Sequence, residues 1–212
     1  MPSNNSGLQV GYLHGKYGDR MAWLISPGGW FNRYPPSWMP VALDNGAYGA
    51  WDKKREWDQH AWLELLEKAH ARSKPMWMVV PDVVTKAKET IDRWHEWAGL
   101  LREIYPDTPL GFAVQDGMTE KDIPKDFVDG RDIIFVGGSR DWKWQTVEAG
   151  LWKKFKRVHV ARVNGEKGLW ICHSAQVEST DGTGWFRGDK RQLAGLYSYM
   201  EQTDPNRPNA CF

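Results

Sequence analysis

The sequence predicts an α/β protein, a compact (β/α) TIM-like barrel with room for irregular first units. From residue 41 onward, apolar runs of strand length alternate with helix-like patterns, which is typical of parallel βαβ units. A short polar cassette follows nearly every run, and four of the five cassettes carry an aspartate. This recurrence favours a barrel over an open sheet. The cassettes are Asp44-Asn45-Gly46, Pro81-Asp82, Gln115-Asp116-Gly117, Gly137-Gly138-Ser139 and Thr180-Asp181-Gly182.

The predicted strands are short apolar runs. The run over residues 76–80 is continuous, which is typical of a parallel strand buried on both faces. Residues 27–38 are too rich in Gly and Pro for regular structure and are expected to form a loop. Strands are expected over residues 8–13, 22–26, 41–43, 76–80, 110–114, 133–136 and 158–163, with a last short strand leading into Asp181.

The predicted helices lie between these strands. Trp62, Leu65, Leu66 and Ala69 recur at helical spacing, and a second helical pattern ends just before Pro106. Helices are expected over residues 57–72, 84–104, 120–127, 141–153, 166–175 and 189–201. Residues 203–212 are polar and Pro-rich, so we expect an extended tail on a single catalytic domain that spans residues 1–212.

Composition places the chain among ordinary globular proteins. A length of 212 residues, 41% hydrophobic and 26% charged, suits one domain. The formal charge of +1 argues against a protein that binds nucleic acid by bulk charge, but it leaves room for a local basic groove. The 14 tryptophans are expected mainly in the core.

The expected location is the cytoplasm. Cys172 and Cys211 lie far apart and outside any metal-binding pattern, which is typical of reduced thiols. No apolar run approaches the roughly 18 residues that span a bilayer, so no membrane partner is expected. The histidines lack metal spacing, and His159 is interpreted as a satisfied strand histidine. No metal and no cofactor are predicted, because phosphate-cradling motifs are also missing from the sequence.

The aspartates that follow the strands point to glycosidic-bond chemistry. The carboxyl ends of parallel strands converge on one face, so carboxylates as distant in sequence as Asp44 and Asp181 are expected to share a pocket. One carboxylate can attack an anomeric carbon while the other moves a proton on the leaving group. The alternative for any single aspartate is a helix N-cap or a turn residue.

In this order, the cassettes resemble those of the tRNA-guanine transglycosylase superfamily, particularly its smaller branch that installs deazapurine bases in DNA. Residues 44–48 are similar to the family's Asp-Ser-Gly-Gly-Phe segment, and residues 112–117 to its Val-Gln-Gly strand end. Residues 179–185 resemble its Ser-x-Asp-Ser-x-x-Trp segment. The resemblance covers about residues 41–190. The tRNA enzymes carry a Cys/His zinc site that this sequence lacks, which favours DNA or a free nucleoside as substrate.

The resemblance implies a role for each matching residue. Asp181 would be the nucleophile toward C1′, and Asp44 the acid/base residue. Tyr48 or Trp185 would stack on the face of the base. The residues that would contact the base itself are Asn45, Asp82, Gln115, Gly137 and Gly138, together with Tyr48.

The expected partners are DNA, single-stranded or with a flipped-out base, and a free deazapurine base. A base inside a duplex is unreachable, so such an enzyme must extrude it or take single strands. Aromatic and cationic residues in two segments have the composition to stack on or bind DNA. These predicted DNA contacts are Trp30, Arg33, Trp38, Arg140, Trp142 and Lys143.

Four functional hypotheses stay open at this point. A base-exchange transglycosylase and a hydrolytic DNA glycosylase that excises a modified viral base, as in antiphage defence, would share the same first step. A nucleoside or sugar hydrolase on a TIM-like barrel would use the loop near Trp30 as a substrate lid. A non-catalytic nucleic-acid-binding module would use only the Trp and Arg loops.

Overall fold

The chain folds around one all-parallel sheet in which each strand pairs with the next along the sequence. The structure is a computed structural model that describes Met1 and residues 7–27, 38–186 and 189–204. The seven strands are β1 (Trp23–Ile25), β2 (Val41–Leu43), β3 (Met78–Val79), β4 (Leu110–Val114), β5 (Ile133–Val136), β6 (Val158–Val160) and β7 (Ser179–Thr180).

Within the described residues, helices connect β2 to β3, β3 to β4, β5 to β6 and β6 to β7, as the alternating pattern predicts. The helices are α1 (Gly7–Tyr17), α2 (Ala47–Asp52), α3 (Gln59–His70), α4 (Ala87–Ile104), α5 (Arg140–Glu148), α6 (Glu166–Ser174) and α7 (Lys190–Gln202). Of the helices in these described ranges, none has both the length and the hydropathy that crossing a membrane requires.

The sheet curls into a half-barrel rather than a closed barrel. In the described part of the chain, β1 pairs only with β2 and β7 only with β6, so the predicted closed TIM-like barrel is corrected to an open, partial one. Met1 lies beside β7, where its amino group donates to the Thr180 carbonyl and its carbonyl accepts from Gly182 N.

Strand residues alternate between two apolar layers, because successive side chains point to opposite faces of a sheet. Phe112 and Val114 of β4 pack with the helices in the larger core cluster. Ala113 points the other way, into a smaller cluster with Trp77 and Phe135 that includes no residue of the described helices. Strands β1 to β6 are therefore buried on both faces, whereas the two polar residues of β7 are half-buried.

The structure confirms most predicted elements and corrects a few. Residues 8–13 were predicted as a strand but belong to α1, where Leu13 and Tyr17, one helical turn apart, both pack against the core. The predicted helix over residues 120–127 is only a three-residue 3₁₀ turn, Glu120–Asp122. Helix α5 ends at Glu148 rather than near residue 153, and the short helix α2 was not predicted. The predicted tail lies outside the described residues from position 205.

One buried carboxylate fixes the amino ends of β4 and β5. Asp132 is fully buried, and its oxygens accept from Leu110 N at 3.1 Å and Val128 N at 2.9 Å. Arg102 of α4 donates to the same carboxylate, with 2.6 Å between Nη2 and Oδ2. This group therefore ties a helix to two strands at the end of the sheet away from the polar cassettes.

Asp132→Ala is expected to lower the free energy of unfolding by about 3–5 kcal/mol, because it removes a buried charge partner and leaves two backbone N–H groups without an acceptor. Urea denaturation monitored by tryptophan fluorescence measures the change. Asp92→Ala is the matched control, since Asp92 pairs with Lys88 at the surface and its loss should leave stability nearly unchanged. Similar effects of both substitutions would contradict this role of Asp132.

Candidate active site

A cleft of about 1320 Å³ lies at the carboxyl ends of the strands. Each strand contributes to it, because the carboxyl ends of parallel strands lie along the same edge of the sheet. The lining residues that directly follow or nearly follow a strand are Ser26, Asp44, Asn45, Asp82, Gln115, Gly137, Gly138, Ala161, Arg162 and Asp181. The structure thus brings together both predicted catalytic aspartates and all the predicted base-contacting residues, including Tyr48.

Two side-chain amides hold Asp82 in place. Asn45 Nδ2 donates to Oδ1 of Asp82, and Gln115 Nε2 donates to Oδ2, both at 2.6 Å. The Asn45 amide is itself fixed, since Nδ2 also donates to the Val80 carbonyl and Oδ1 accepts from Ala47 N. Asn45 and Gln115 are buried, so they orient Asp82 rather than face the cleft openly.

Gln115 also links three of the strand-end loops. Its Oε1 accepts from Thr85 N at 2.8 Å and from Gly138 N at 3.1 Å, while its Nε2 binds Asp82. Gly138 adopts a positive φ of 66°, and a Cβ there would lie 2.6 Å from Asp116 Oδ2. Only glycine therefore fits at this position, where the loop after β5 crosses the loop after β4.

Asp181 is buried and held by β6. His159 Nε2 lies 3.1 Å from Oδ1 of Asp181, and the backbone N–H of Arg162 donates to the same oxygen at 3.0 Å. His159 Nδ1 lies 2.9 Å from Ser179 Oγ. Since Asp181 can only accept when ionised, this pattern assigns the imidazole proton to Nε2 and makes Nδ1 the acceptor.

Burial and neighbouring charges shift the pKa values of the three aspartates in different directions. Burial, with repulsion from Asp181 and Asp82, raises the pKa of Asp44 to about 7. Burial also raises the pKa of Asp82, to about 6, against the lowering effect of the Asn45 amide and of Arg162. Burial would likewise raise the pKa of Asp181, but the hydrogen bonds from His159 and the Arg162 backbone outweigh it and hold that pKa below its usual value.

His159 and Arg162 are functional candidates that sequence reasoning missed. His159 is indeed a buried strand histidine with both nitrogens partnered, but one partner is Asp181. Burial lowers its pKa, so the ring is neutral near pH 7. Arg162 has a left-handed backbone, φ 57°, and its guanidinium lies 3.9 Å from the centre of the Tyr48 ring. The sequence does offer one signal for Arg162, which is a cationic residue within the otherwise mostly apolar run over residues 158–163.

The predicted DNA contacts fall in different places. Arg140 is exposed at the start of α5 and lines the cleft, whereas Trp38 is 58% exposed but contacts His14 outside the cleft lining. Trp142 packs against Trp152 in the core cluster. Lys143 is buried, so it belongs to the cleft wall rather than to a surface that meets phosphates. Trp30 and Arg33 lie outside the described residues.

Trp185 is also placed differently from the prediction. It is only 2% exposed and packs in the core, so Tyr48 is the aromatic residue of the pair that faces the cleft.

Among the described residues, no three His, Cys, Asp or Glu side chains are arranged to hold a metal ion. No model of a known protein family matches this chain, and no curated protein matches it either.

The free energy of unfolding should respond to pH through Asp44. Its folded pKa of about 7 exceeds the ordinary value of 3.8, so ionising Asp44 costs stability as pH rises through this window. Asp44→Asn is therefore expected to stabilise the protein at pH 8 by about 2 kcal/mol, allowing for water in the cleft, and to have little effect near pH 4. Chemical denaturation at the two pH values measures the difference.

Asp181→Asn is the matched comparison and should act in the opposite direction. Its pKa is lowered in the folded state, so the ionised group stabilises the fold above the ordinary carboxyl pKa, and this contribution is lost on acidification. The substitution should therefore destabilise the protein at pH 8. Stabilisation by both substitutions would contradict the opposite pKa shifts of Asp44 and Asp181.

Proposed function

We propose that this chain is a DNA-acting enzyme that cleaves the N-glycosyl bond between a purine-like or modified base and C1′ of its deoxyribose. The observation that carries the proposal is the pair of carboxylates with opposite pKa shifts in one cleft, Asp44 raised and Asp181 lowered. Pairs of titratable groups whose surroundings separate their pKa values identify acid and nucleophile in glycosidic-bond enzymes.

In the proposed reaction, ionised Asp181 attacks C1′ as the bond to the base breaks. Protonated Asp44 gives its proton to the departing base, which leaves neutral. The next nucleophile, either a free base in exchange or water in hydrolysis, then gives a proton to Asp44 and bonds to C1′ as the bond between Asp181 and C1′ breaks. His159 and the Arg162 N–H keep Asp181 ionised and aimed, so they are positioning residues.

Asp82 is the residue best arranged to read the base. Its two oxygens each accept one internal amide hydrogen bond, from Asn45 and Gln115. Because a carboxylate offers about two acceptor positions on each oxygen, the remaining positions can accept a pair of N–H groups on the edge of a base. Tyr48 is half-buried and lines the cleft, so it can meet the flat face of the same base.

The size of the cleft favours a polymer over a free nucleoside. Its volume of about 1320 Å³ exceeds that of a typical small-molecule pocket, roughly 300–1,000 Å³. Exposed cations at its wall, Arg140, Lys53 and Arg55, alternate with acidic side chains. This pattern favours individual phosphate contacts over bulk attraction, in keeping with the formal charge of +1.

Base release from DNA tests the proposal. The purified protein is incubated with oligonucleotides that contain ordinary or modified bases, and released bases are measured by mass spectrometry and abasic sites by alkaline cleavage. Asp181→Asn should abolish release, whereas Asp141→Asn, which removes an exposed carboxylate from the cleft rim, should leave it intact. A free deazapurine in a parallel reaction separates exchange, with intact strands, from hydrolysis. Release that survives Asp181→Asn, or none from any DNA, would overturn the proposal.

The rate of base release should fall as pH rises above about 7, because Asp44 must carry a proton to give to the base. Asp44→Asn should lower the rate by about 10²–10⁴-fold for natural leaving groups and remove this dependence on pH. Single-turnover rates between pH 5 and pH 9 measure both effects. An unchanged alkaline limb in Asp44→Asn would assign the proton donor to another group.

A further inference from the structure

Lys143 is a buried cation that the proposed glycosyl chemistry does not use. It lies in the first turn of α5, is 2% exposed and lines the cleft. Its Nζ donates to the carbonyls of Ala161 at 2.6 Å and Arg162 at 3.3 Å. Across the described ranges it forms no salt bridge, although a buried ammonium ordinarily needs an anionic partner.

These two carbonyls orient the amine without blocking it. A neutral amine has two N–H groups and one lone pair, so it keeps both hydrogen bonds while the lone pair takes the remaining tetrahedral direction. Arg162 accepts a hydrogen bond from Lys143 at its carbonyl, and its backbone N–H donates to Asp181 at 3.0 Å. The backbone of Arg162 therefore binds both Lys143 and Asp181, the carboxylate that attacks C1′ in the proposed reaction.

The surroundings also shift the amine toward its neutral form. Burial lowers the pKa of Lys143 to about 8, with repulsion from Arg162 and Arg140 acting in the same direction, against attraction to Asp181 and Cys172. A lysine of this kind is nucleophilic toward carbonyl carbons near neutral pH. The deoxyribose of an abasic site opens to an aldehyde at C1′, which is such a carbon.

We propose that Lys143 gives this cleft a second activity, the cleavage of DNA strands at abasic sites through a covalent imine with C1′. The inference rests on the proposed function only in that the same cleft receives the deoxyribose. The amine nitrogen bonds to C1′, and the aldehyde oxygen leaves as water. A proton then passes from C2′ to ionised Asp44, which gives an enamine with a C1′–C2′ double bond. The electron pair of that double bond then forms a C2′–C3′ double bond and restores the imine as the C3′–O bond breaks with the phosphate as leaving group. Water hydrolyses the imine, which restores the amine and releases an unsaturated aldehyde on the 5′ fragment.

The test uses the whole wild-type protein and an oligonucleotide with one abasic site prepared in advance by removing a single uracil. Sodium borohydride reduces an imine and so makes the link permanent. Without borohydride, we expect strand cleavage. With borohydride, we expect a one-to-one protein–DNA adduct, and peptide mapping should locate the attached DNA on Lys143. Lys143→Arg keeps the charge but cannot form the imine at this position, so both adduct and cleavage should be lost.

Lys167→Arg is the matched control, since Lys167 is an exposed lysine on the wall of the same cleft and its substitution should change neither result. The absence of an adduct, or an adduct on any other amine, would overturn the inference. Mapping in the wild type keeps the test decisive even if a Lys143 variant folds poorly. Cleavage of the prepared site without base release from any DNA would refute the proposed function alone, and base release without an adduct would refute this inference alone.

Discussion

Three carboxylates at one edge of the sheet repel one another, and the rest of the site depends on how the fold divides hydrogen-bond donors among them. Asp181 accepts from the His159 ring and from the backbone N–H of Arg162, and it stays ionised. Asp82 receives two side-chain amides. Asp44 accepts from the backbone N–H groups of Asn45 and Gly46, but they do not offset its burial and the repulsion from the other two carboxylates, so its pKa is raised and it takes up a proton. The same sheet edge thus holds one anion and one acid that are both aspartates.

These donors are effective because each is held by the register of the parallel sheet. His159 of β6 lies opposite Ser179 of β7, whose hydroxyl contacts the far nitrogen of the ring. Phe135 stacks on the same imidazole with 5.0 Å between ring centres, and Trp77 lies against it at 4.9 Å. The apolar layer that contains Trp77 and Phe135 therefore supports Asp181 through His159, just as Gln115 supports Asp82. Donors fixed in advance need little reorganisation when charge moves during a reaction.

Sequence reasoning works for this chain where one pattern dominates. The apolar runs of β4 and β5 predict those strands to the residue, because a fully buried parallel strand is continuously apolar. It fails over residues 8–13, where an apparent alternation hides the helical pair Leu13 and Tyr17. The positions of the cassettes after the strands predict that Asp44, Asp82 and Asp181 line one cleft. No sequence pattern shows that the side chains of Asn45 and Gln115 are buried and donate hydrogen bonds to Asp82. Nor does spacing reveal that Lys143, in a run of apparently solvent-facing residues, turns into the cleft wall.

The electrostatic coupling of Asp44 and Asp181 is itself a consequence of the curl. The two residues follow β2 and β7, which are five strands apart in the sheet. In a flat sheet with strands about 4.8 Å apart they would be separated by roughly 24 Å, beyond the Debye length of about 8–10 Å that limits the interaction of solvated charges. Asp181 nevertheless contributes to the raised pKa of Asp44. A half-barrel is therefore sufficient: the curl brings the two ends of the strand order to one cleft, and the pair of carboxylates does not require the sheet to close.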